Sequence, residues 1–295
     1  GLGDVYKRQV YNGRFQPETY LELLQDYQIN VLCCTPTEYR MMAKLSNLND
    51  YHLEHLHSAV SAGEPLNREV VEQFKNNFNL TVRDGYGQTE STLLIGFLKD
   101  TEPRPGSMGK GIPGSFVTII DDDGNEVPPQ TKGNIAVPLD LPALFKGYYK
   151  DEERTKAASA GDYYVTGDLA HKDEDGYFWF EGRRDDIIIS SGYTIGPFEV
   201  EDALTNHPAV KECAVVASPH EIRGNIVKAF IILQNNYEGN DELVKELQTF
   251  CKNEVAPYKY PRAIEFVDDL PKTNSGKIRR VELRDAEIAK YNNQD

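Results

Sequence analysis

The sequence contains little cysteine and no excess of basic residues. Its 295 residues include four cysteines, Cys33, Cys34, Cys213 and Cys251, and none are spaced as Cys-x-x-Cys. This pattern favours buried thiols in a reducing cytosol over a disulfide framework. The net charge of −15 makes binding to nucleic acid or to an anionic membrane surface unexpected. No apolar run approaches the roughly 18 residues of a membrane span, and we expect a cytoplasmic protein.

The sequence also lacks a clear metal-binding cluster. His52, His55 and His57 alternate like residues of a strand, but no fourth ligand accompanies them. Residues 121–124 are acidic, yet they lack the spaced ligands and closing glutamate of an EF-hand and predict a hairpin turn instead. The glycines of residues 109–114 are too weak a pattern to indicate a phosphate loop.

The first part of the chain predicts alternating helices and strands. The predicted elements are helices at residues 17–29 and 36–45, a buried strand at 31–34, a helix from a cap at Asn67 through residue 77, and a strand at 80–83. This alternation is typical of a doubly wound sheet, whose ligand loops lie at the carboxyl ends of the strands.

The pattern changes twice further along the chain. Short strands at residues 106–137 predict a β subdomain. After Arg184 the predicted elements are a helix from Pro197 through residue 204, strands at 210–217, 227–233 and 263–267, and a helix at 241–254. We therefore predict an α/β protein: the C-terminal part of a large doubly wound α/β domain with a β subdomain, plus a small α+β C-terminal domain.

The pentapeptide Tyr86-Gly-Gln-Thr-Glu90 carries groups suited to a nucleotide. An aromatic ring that can stack on a purine is followed by a threonine hydroxyl for a phosphate and by a carboxylate. Mg²⁺ is a hard ion that favours carboxylate and phosphate oxygens, so Glu90 is a chemically apt ligand. Taken alone, the same residues also fit a turn with a hydrogen-bonded tyrosine.

Asp168 and Arg183 are predicted to meet across a hairpin. Asp168 ends a strand-like run, where an acidic residue can accept hydrogen bonds from ribose hydroxyls. Arg183 follows fifteen residues later, beyond a turn at residues 173–176 and a strand at 177–180. Both side chains can then reach one ligand, although a structural ion pair fits the two residues equally well.

Lys277 ends the loop Thr-Asn-Ser-Gly-Lys277. Small residues in this loop permit close backbone approach, and a flexible ammonium can act as a point charge on a phosphate and an attacking carboxylate. A surface lysine is the alternative for this residue alone.

In order, these motifs resemble those of the adenylate-forming acyl-CoA synthetases. They are Asp84-Gly-Tyr-Gly-Gln-Thr-Glu90, Tyr164-Val-Thr-Gly-Asp168, Gly182-Arg-Arg-Asp-Asp-Ile-Ile-Ile-Ser-Ser-Gly192-Tyr193 and Pro271-Lys-Thr-Asn-Ser-Gly-Lys277. The resemblance is to the medium-chain branch of a superfamily that also holds luciferases and peptide-synthetase adenylation domains, and it covers nearly the whole chain. The segment Ala256-Pro-Tyr-Lys-Tyr-Pro-Arg262 points further to the CoA ligases.

The resemblance implies a role for each motif residue. The residues implied in binding ATP and Mg²⁺ are Gly63, Glu64 and Pro65 with Tyr86 at adenine, Thr89 at phosphate, Glu90 on Mg²⁺, Asp168 and Arg183 at the ribose, and Asp84, Gly85, Gly87 and Gln88 in the same motif. The residues implied in binding CoA are Ser191, Gly192 and Tyr193 beside pantetheine, and Arg223 and Arg262 near the phosphates, with Tyr260 in the same segment. Asp185 is implied as the hinge of the C-terminal domain and Lys277 as the adenylation lysine, which makes Lys277, Thr89 and Glu90 the catalytic set.

The sequence departs from the family pattern at several places. The family's Gly/Ser/Thr-rich phosphate loop is absent from residues 1–83, so we expect a fragment of a longer enzyme, inactive by itself. Residues 1–9 do not fit the pattern that follows them and are expected to be a non-native leader. Thr194 stands where the family usually has arginine and cannot supply its charge. Gly87 replaces the tryptophan of acetate-restricted relatives and is expected to leave the acyl pocket open.

The predicted function is acyl-CoA synthesis from ATP, a carboxylic acid longer than acetate, and CoA, through an acyl-adenylate. The predicted domains are residues 10–183, the C-terminal portion of the AMP-binding domain, and residues 184–295, a small mobile domain. Two alternatives remain open at this point: an adenylation domain that loads a carrier protein, and a nucleotide- or CoA-binding module without turnover.

Overall fold

The computed structural model describes residues 13–273 and 277–293. The predicted leader, residues 1–9, lies outside this part of the chain. Within it, no helix is both long and apolar enough to cross a membrane.

The first elements build a parallel sheet with its helices. They are α1 (Pro17–Asp26), β1 (Val31–Cys34), α2 (Pro36–Ala43), β2 (Ser58–Ala62), α3 (Arg68–Phe78), β3 (Val82–Gln88) and β4 (Thr92–Gly96). β1, β2 and β3 pair in parallel, as expected for a doubly wound sheet, although the sequence predicted no strand at β2. α1 ends earlier than predicted, and Gln28 beyond it has a φ of +50°, outside the helical region.

The next elements are mostly short strands. They are β5 (Gly109–Gly111), β6 (Thr118–Ile120), β7 (Gly133–Pro138), α4 (Glu152–Ala157), β8 (Ser159–Ala160), β9 (Tyr163–Lys172) and β10 (Tyr177–Arg183). Antiparallel pairing joins them to β4, giving one sheet in the order β1-β2-β3-β4-β5-β10-β9-β7-β6, with β8 beside β9. The predicted β subdomain is therefore continuous with the parallel strands.

The C-terminal elements form a separate layer. A 3-10 turn at Arg184–Asp186 leads to β11 (Ile188–Ser190), β12 (Tyr193–Ile195), α5 (Pro197–Thr205), β13 (Val210–His220), β14 (Gly224–Leu233), α6 (Asp241–Glu254), β15 (Ala263–Phe266) and α7 (Arg280–Asn292). β13, β14 and β15 make a sheet. Helices α5 and α6 share the apolar core on one face of it, and Leu283 of α7 packs against the other.

Local sequence explains several of these boundaries. α2 begins with a capping box between Thr35 and Glu38 and has Pro36 at its first position, where a missing N–H does no harm. α6 is capped by the side chain of Asn240. Buried apolar residues one turn apart, Leu243 and Leu247, anchor α6 to the sheet.

Two expectations for the first elements are wrong. β1 lies at the edge of the sheet and only one of its faces is covered, so Cys33 is exposed while Cys34 is buried. His52, His55 and His57 lie in a loop after the 3-10 turn Leu48–Asp50, and not on a strand.

Candidate active site

Asp168 is the centre of a hydrogen-bonded cluster. Its Oδ2 accepts a 2.7 Å bond from the Tyr86 hydroxyl and a 2.8 Å bond from Gln88 Nε2. β3 and β9 are not neighbours in the sheet, so the sheet must curl for these side chains to meet. The motif of residues 84–90 lies on β3 as far as Gln88 and then in the turn after it, whereas the sequence predicted a strand that ended at residue 83.

Arg183 lies opposite Asp168, as the predicted hairpin requires. The two are direct partners in the pairing of β9 with β10, and Arg183 Nε lies 3.8 Å from Asp168 Oδ1. Burial raises the pKa of Asp168, while the bonds from Tyr86 and Gln88 and the charge of Arg183 act to lower it. In the described part of the chain Oδ1 accepts no hydrogen bond, so this carboxylate oxygen and the exposed guanidinium of Arg183 lie close together with bonding capacity left for a ligand.

Two tyrosines that sequence reasoning missed extend the cluster. Tyr164 donates a 3.1 Å hydrogen bond to Gln88 Oε1, and Tyr148 donates one of 3.1 Å to Glu90 Oε1. Tyr164 stands at alternate positions on β9 with Thr166 and Asp168, so the period of two in a strand was the signal for it. Tyr148 lies in a loop and had no such signal.

Lys277 lies against the loop that follows β2. A β-carbon placed on Gly63 would be 3.8 Å from Lys277 Nζ, so the lysine and the loop are in contact distance of each other. The loop starts at the carboxyl end of a parallel strand, where a doubly wound sheet binds ligands. Hydrogen bonds between Thr273 and Lys277 hold the ends of the lysine loop together, whereas residues 274–276 lie outside the described part of the chain.

Glu64 and Asp84 give this region buried acidic groups. Glu64 Oε2 accepts a 2.7 Å hydrogen bond from the Thr37 hydroxyl, while Glu64 Oε1 is buried with no partner in the described part of the chain. Burial raises the pKa of Asp84 to about 7, against the lowering effect of backbone bonds from Gly85 and Leu66.

These residues fit a nucleotide with Mg²⁺. Asp168 and Arg183 lie close together on neighbouring strands, and Lys277 supplies a cation beside the loop of Gly63. Within residues 13–273 and 277–293 no three acidic, histidine or cysteine side chains cluster to hold a metal. One carboxylate, Glu90, together with phosphate oxygens is a common way to bind Mg²⁺. Thr89 lies beside it in the turn and is exposed.

The interpretation of Gly87 as an open acyl pocket is not supported. A β-carbon on Gly87 would lie 1.9 Å from the Thr92 carbonyl oxygen and 2.9 Å from Leu93 Cα. The β3–β4 pairing shifts register at this point, which brings the two backbones together. Glycine is therefore required by the approach of β4. Gly85 differs, because its nearest neighbour would be the tip of the Leu93 side chain at 3.0 Å.

The residues predicted to contact pantetheine form the tip of the β11–β12 hairpin. The Ser191 N–H donates to the Arg223 carbonyl at 3.1 Å, and Arg223 Nη1 donates to the Ser191 hydroxyl at 3.0 Å. Gly192 has a φ of +84° with open space around its β position. Tyr193 stacks on Tyr258 with ring centroids 4.4 Å apart. Backbone conformation thus gives a sufficient reason for glycine at residue 192.

Tyr260 and Arg262 form a second group of the C-terminal layer. Arg262 Nη1 donates a 2.9 Å hydrogen bond to the Tyr260 hydroxyl, and the Lys252 ammonium lies 4.0 Å from the centre of the Tyr260 ring. Two cations on one aromatic ring can accept a phosphorylated ligand. Within the described residues no hydrogen bond links this group, or the hairpin tip, to the Asp168 cluster.

Asp185 lies in the 3-10 turn between β10 and β11. Its carbonyl accepts a 2.7 Å hydrogen bond from Arg284 of α7, which also pairs with Asp186 at 2.9 Å. Thr194, in place of a family arginine, is exposed on β12 opposite Ile189.

Two family models match the chain. The model for AMP-binding enzymes matches residues 8–149, and the model for the C-terminal domain of AMP-binding enzymes matches residues 199–277.

Relatives and solved structures agree with these models. The chain is 67% identical to the uncharacterized acyl-CoA ligase YtcI of Bacillus subtilis (strain 168), over 97% of this chain and 54% of that protein. It is 47% identical to the mitochondrial acyl-coenzyme A synthetase ACSM3 of Homo sapiens, over 93% of this chain and 47% of that protein. The crystal structure of the anthranilate CoA ligase AuaEII with anthranoyl-AMP superposes with a TM-score of 0.85 and 34% identity, covering 92% of this chain and 52% of that one. The chain thus spans about half the length of the curated relatives it matches.

Proposed function

The chain belongs to the AMP-binding enzymes, and from that premise we propose that the enzyme containing it is an AMP-forming acyl-CoA synthetase. In the first step a carboxylate oxygen attacks the α-phosphorus of ATP, the bond to pyrophosphate breaks, and acyl-AMP forms. In the second step the CoA thiol attacks the acyl carbon, loses its proton, and AMP leaves. The placement of the Lys277 ammonium against the loop of Gly63 is the observation that carries this proposal.

The first step uses the groups around the curled sheet. Lys277 would offset the negative charge that builds up between the carboxylate and the α-phosphate, and its position against the loop of Gly63 supports this role. Asp168 and Arg183 would hold the ribose from opposite strands. Tyr86 is held by its bond to Asp168, so its ring has a fixed position against which a purine can stack.

Glu90 and Thr89 would face the phosphates. When bound there, Mg²⁺ neutralises phosphate charge and makes pyrophosphate a better leaving group. The bond from Tyr148 fixes one Glu90 oxygen and leaves the other for the ion. Mg²⁺ binding at this residue is part of the proposal.

The second step would use the C-terminal layer. We propose that residues 184–295 form a small domain that turns about Asp185, with residues 10–183 belonging to the large domain. Ser191, Gly192 and Tyr193 would then border the pantetheine arm, and Arg223, Tyr260 and Arg262 would face the CoA phosphates. Support comes from the exposed positions of the hairpin tip in the present arrangement.

The proposed acid is a medium-chain carboxylic acid, and the proposed location is the cytoplasm. The identity of 47% to a mitochondrial acyl-coenzyme A synthetase of Homo sapiens supports an acyl-CoA synthetase, and the resemblance of the motifs to the medium-chain branch supports the chain length. The 295-residue chain by itself is proposed to bind ligands without turnover, because residues 1–83 contain no Gly/Ser/Thr-rich phosphate loop.

The test compares binding with turnover. Calorimetry with ATP and with CoA measures binding to the chain. Release of AMP in the presence of butyrate, hexanoate or octanoate, with and without CoA, measures turnover by the full-length enzyme. Acid- and CoA-dependent AMP release supports the synthetase. Transfer to a carrier protein in preference to CoA would instead indicate a carrier-loading adenylation domain, and binding without turnover by the full-length enzyme would indicate a binding module.

A further inference from the structure

Helix α3 begins without a cap from its own sequence. Asn67 occupies the N-cap position, but its side chain makes no capping hydrogen bond to the first turn. The acceptor comes from α5 instead: Asp202 Oδ1 accepts a 3.2 Å bond from the Arg68 backbone N–H, and Oδ2 accepts a 3.0 Å bond from Arg68 Nε. A carboxylate at a helix N-terminus satisfies an amide that has no partner inside the helix. A side chain of the C-terminal layer thus stabilises the start of α3.

Helix α5 is capped at its C-terminus by Lys44, the residue that follows α2. The lysine ammonium donates a 3.0 Å hydrogen bond to the carbonyl of Thr205, the last residue of α5. The same ammonium forms a 2.5 Å ion pair with Glu69 in the first turn of α3. A cation is favourable at a helix C-terminus, where carbonyls lack partners. Asp202 of α5 thus caps α3, and Lys44 after α2 caps α5, so both caps cross the boundary between the C-terminal layer and the N-terminal sheet with its helices.

These contacts are buried, which ties them to one arrangement of the two layers. Asp202 is 6% exposed and Asn67 is 3% exposed, and Asn67 Nδ2 donates to Asp202 Oδ1 at 3.2 Å. A buried carboxylate depends on its donors far more than an exposed one does. If α5 moved away from α3, all of these bonds would break together and Asp202 would return to water.

The cap on α3 is also connected to the loop that faces Lys277. Asn67 Oδ1 accepts a 3.0 Å hydrogen bond from Arg40 Nη1, and Arg40 Nη2 lies 3.3 Å from Glu64 Oε2. Glu64 follows Gly63, the residue against which the Lys277 ammonium lies. A displacement of α5 would therefore change both the position of Lys277 and the support of the loop opposite it.

We propose that Asp202 and Lys44 are positioning residues for acyl-AMP formation, because the helix caps that they supply across this boundary hold Lys277 over the loop of Gly63. This inference rests on the proposed function. It assigns the caps to the first step alone, since the second step is proposed to need a different arrangement of the two layers. Neither residue is proposed to touch a substrate.

The main test separates the two half-reactions in the full-length enzyme. Asp202→Ala should slow pyrophosphate exchange with ATP and hexanoate by roughly 10-fold or more, as expected for the loss of buried charge-assisted hydrogen bonds. A tenfold slower first step corresponds to an activation free energy higher by about 1.4 kcal/mol. Thioester formation from supplied hexanoyl-AMP and CoA should stay within about twofold of the wild type, because the caps are proposed to act in the first step only. Asp202→Asn keeps an oxygen for the Arg68 amide and should recover part of the exchange rate.

The matched control is Glu242→Ala, which removes an exposed carboxylate from the first turn of α6 in the same layer. It should leave both half-reactions unchanged. Parallel loss of both half-reactions in Asp202→Ala, or no loss in either, would overturn the inference. A wild-type enzyme that exchanges no pyrophosphate with any acid would instead overturn the proposed function.

A second variant and a second measurement cover the case in which Asp202→Ala folds poorly. Lys44→Met removes the other cap from the other layer and should give the same split between half-reactions. Amide hydrogen exchange should show at least roughly 10-fold faster exchange of the Arg68 N–H in Asp202→Ala, with α6 amides unchanged. Unchanged exchange at Arg68 would contradict the capping assignment whatever the activity.

Discussion

Gly87 allows a sharp test, because the sequence suggests that it keeps an acyl pocket open, whereas the structure shows that it makes room for the backbone of β4. If the residue keeps an acyl pocket open, Gly87→Ala should fold normally and shift the preferred acid towards shorter chains. In the structure the added β-carbon would lie 1.9 Å from the Thr92 carbonyl oxygen and 2.7 Å from the Thr92 carbonyl carbon. Neither neighbour is a flexible side chain, so β4 itself must move.

The size of the effect follows from that movement. Overpacking of this kind costs about 1–3 kcal/mol, and loss of a ladder hydrogen bond adds about 1 kcal/mol. We therefore expect Gly87→Ala to lower the free energy of unfolding of the chain by about 2–4 kcal/mol. Gly85→Ala, two residues earlier on β3, is the matched control: its β-carbon would meet the Leu93 Cδ1 atom at 3.0 Å, and that side-chain tip can turn away. We expect a loss below about 1 kcal/mol for Gly85→Ala.

Urea denaturation of both variants measures this difference. The kcat/KM of the full-length enzyme for butyrate, hexanoate and octanoate gives the specificity. A Gly87→Ala variant with unchanged stability and a changed chain-length preference would refute the reasoning and restore the open-pocket interpretation.

Three further predictions test other parts of the account. Burial raises the pKa of Asp84 from 3.8 to about 7, so the folded state retains a proton that the unfolded state loses. The stability of the wild type relative to Asp84→Asn should therefore fall as pH rises from about 4 to 7, by at most about 4 kcal/mol. Paired urea titrations across this range check this expectation, and a pH-independent difference would contradict it. Gly192 has a φ of +84°, a backbone that asparagine tolerates, so Gly192→Asn should add bulk and slow thioester formation while leaving the melting temperature and acyl-AMP formation unchanged. Gly192→Leu should slow thioester formation and also lower the melting temperature, because leucine strains this backbone. Equal melting temperatures for the two variants would argue against strain. The 295-residue chain alone should form no acyl-AMP above background with butyrate, hexanoate or benzoate, and pyrophosphate exchange at a normal enzymatic rate would show that no further phosphate loop is needed.

Local sequence patterns were sufficient to predict those elements of the fold that depend on neighbouring residues in the chain. The helix after Pro36, the doubly wound pattern of the first elements, and the pairing of Asp168 with Arg183 all follow from spacing and periodicity. The exposure of Cys33 did not follow, because an edge strand has the same composition as a buried one and only its neighbours distinguish the two.

The site was predicted less completely, because its contacts join residues that are far apart in the sequence. The motifs named Asp168, Tyr86 and Gln88, but only the curl of the sheet brings their polar atoms together. Gly87 was interpreted from its missing side chain alone, whereas the approach of the Thr92 backbone depends on the bulge in the β3–β4 pairing. The cap that Asp202 supplies to α3 joins two distant segments, and no local pattern indicates it.

The most direct test of the central claim concerns Lys277 and a neighbouring cation. Lys277 lies against the loop of Gly63, while Arg279 pairs on the surface with Glu282. In the full-length enzyme, Lys277→Ala should slow acyl-AMP formation by about 10²-fold or more, the effect of a charge lost at a reacting phosphoryl group, and should spare thioester formation from supplied acyl-AMP. Arg279→Ala should change neither step. Equal damage to both steps by Lys277→Ala, or equal effects of the two variants on acyl-AMP formation, would contradict the assignment of Lys277 to the first step.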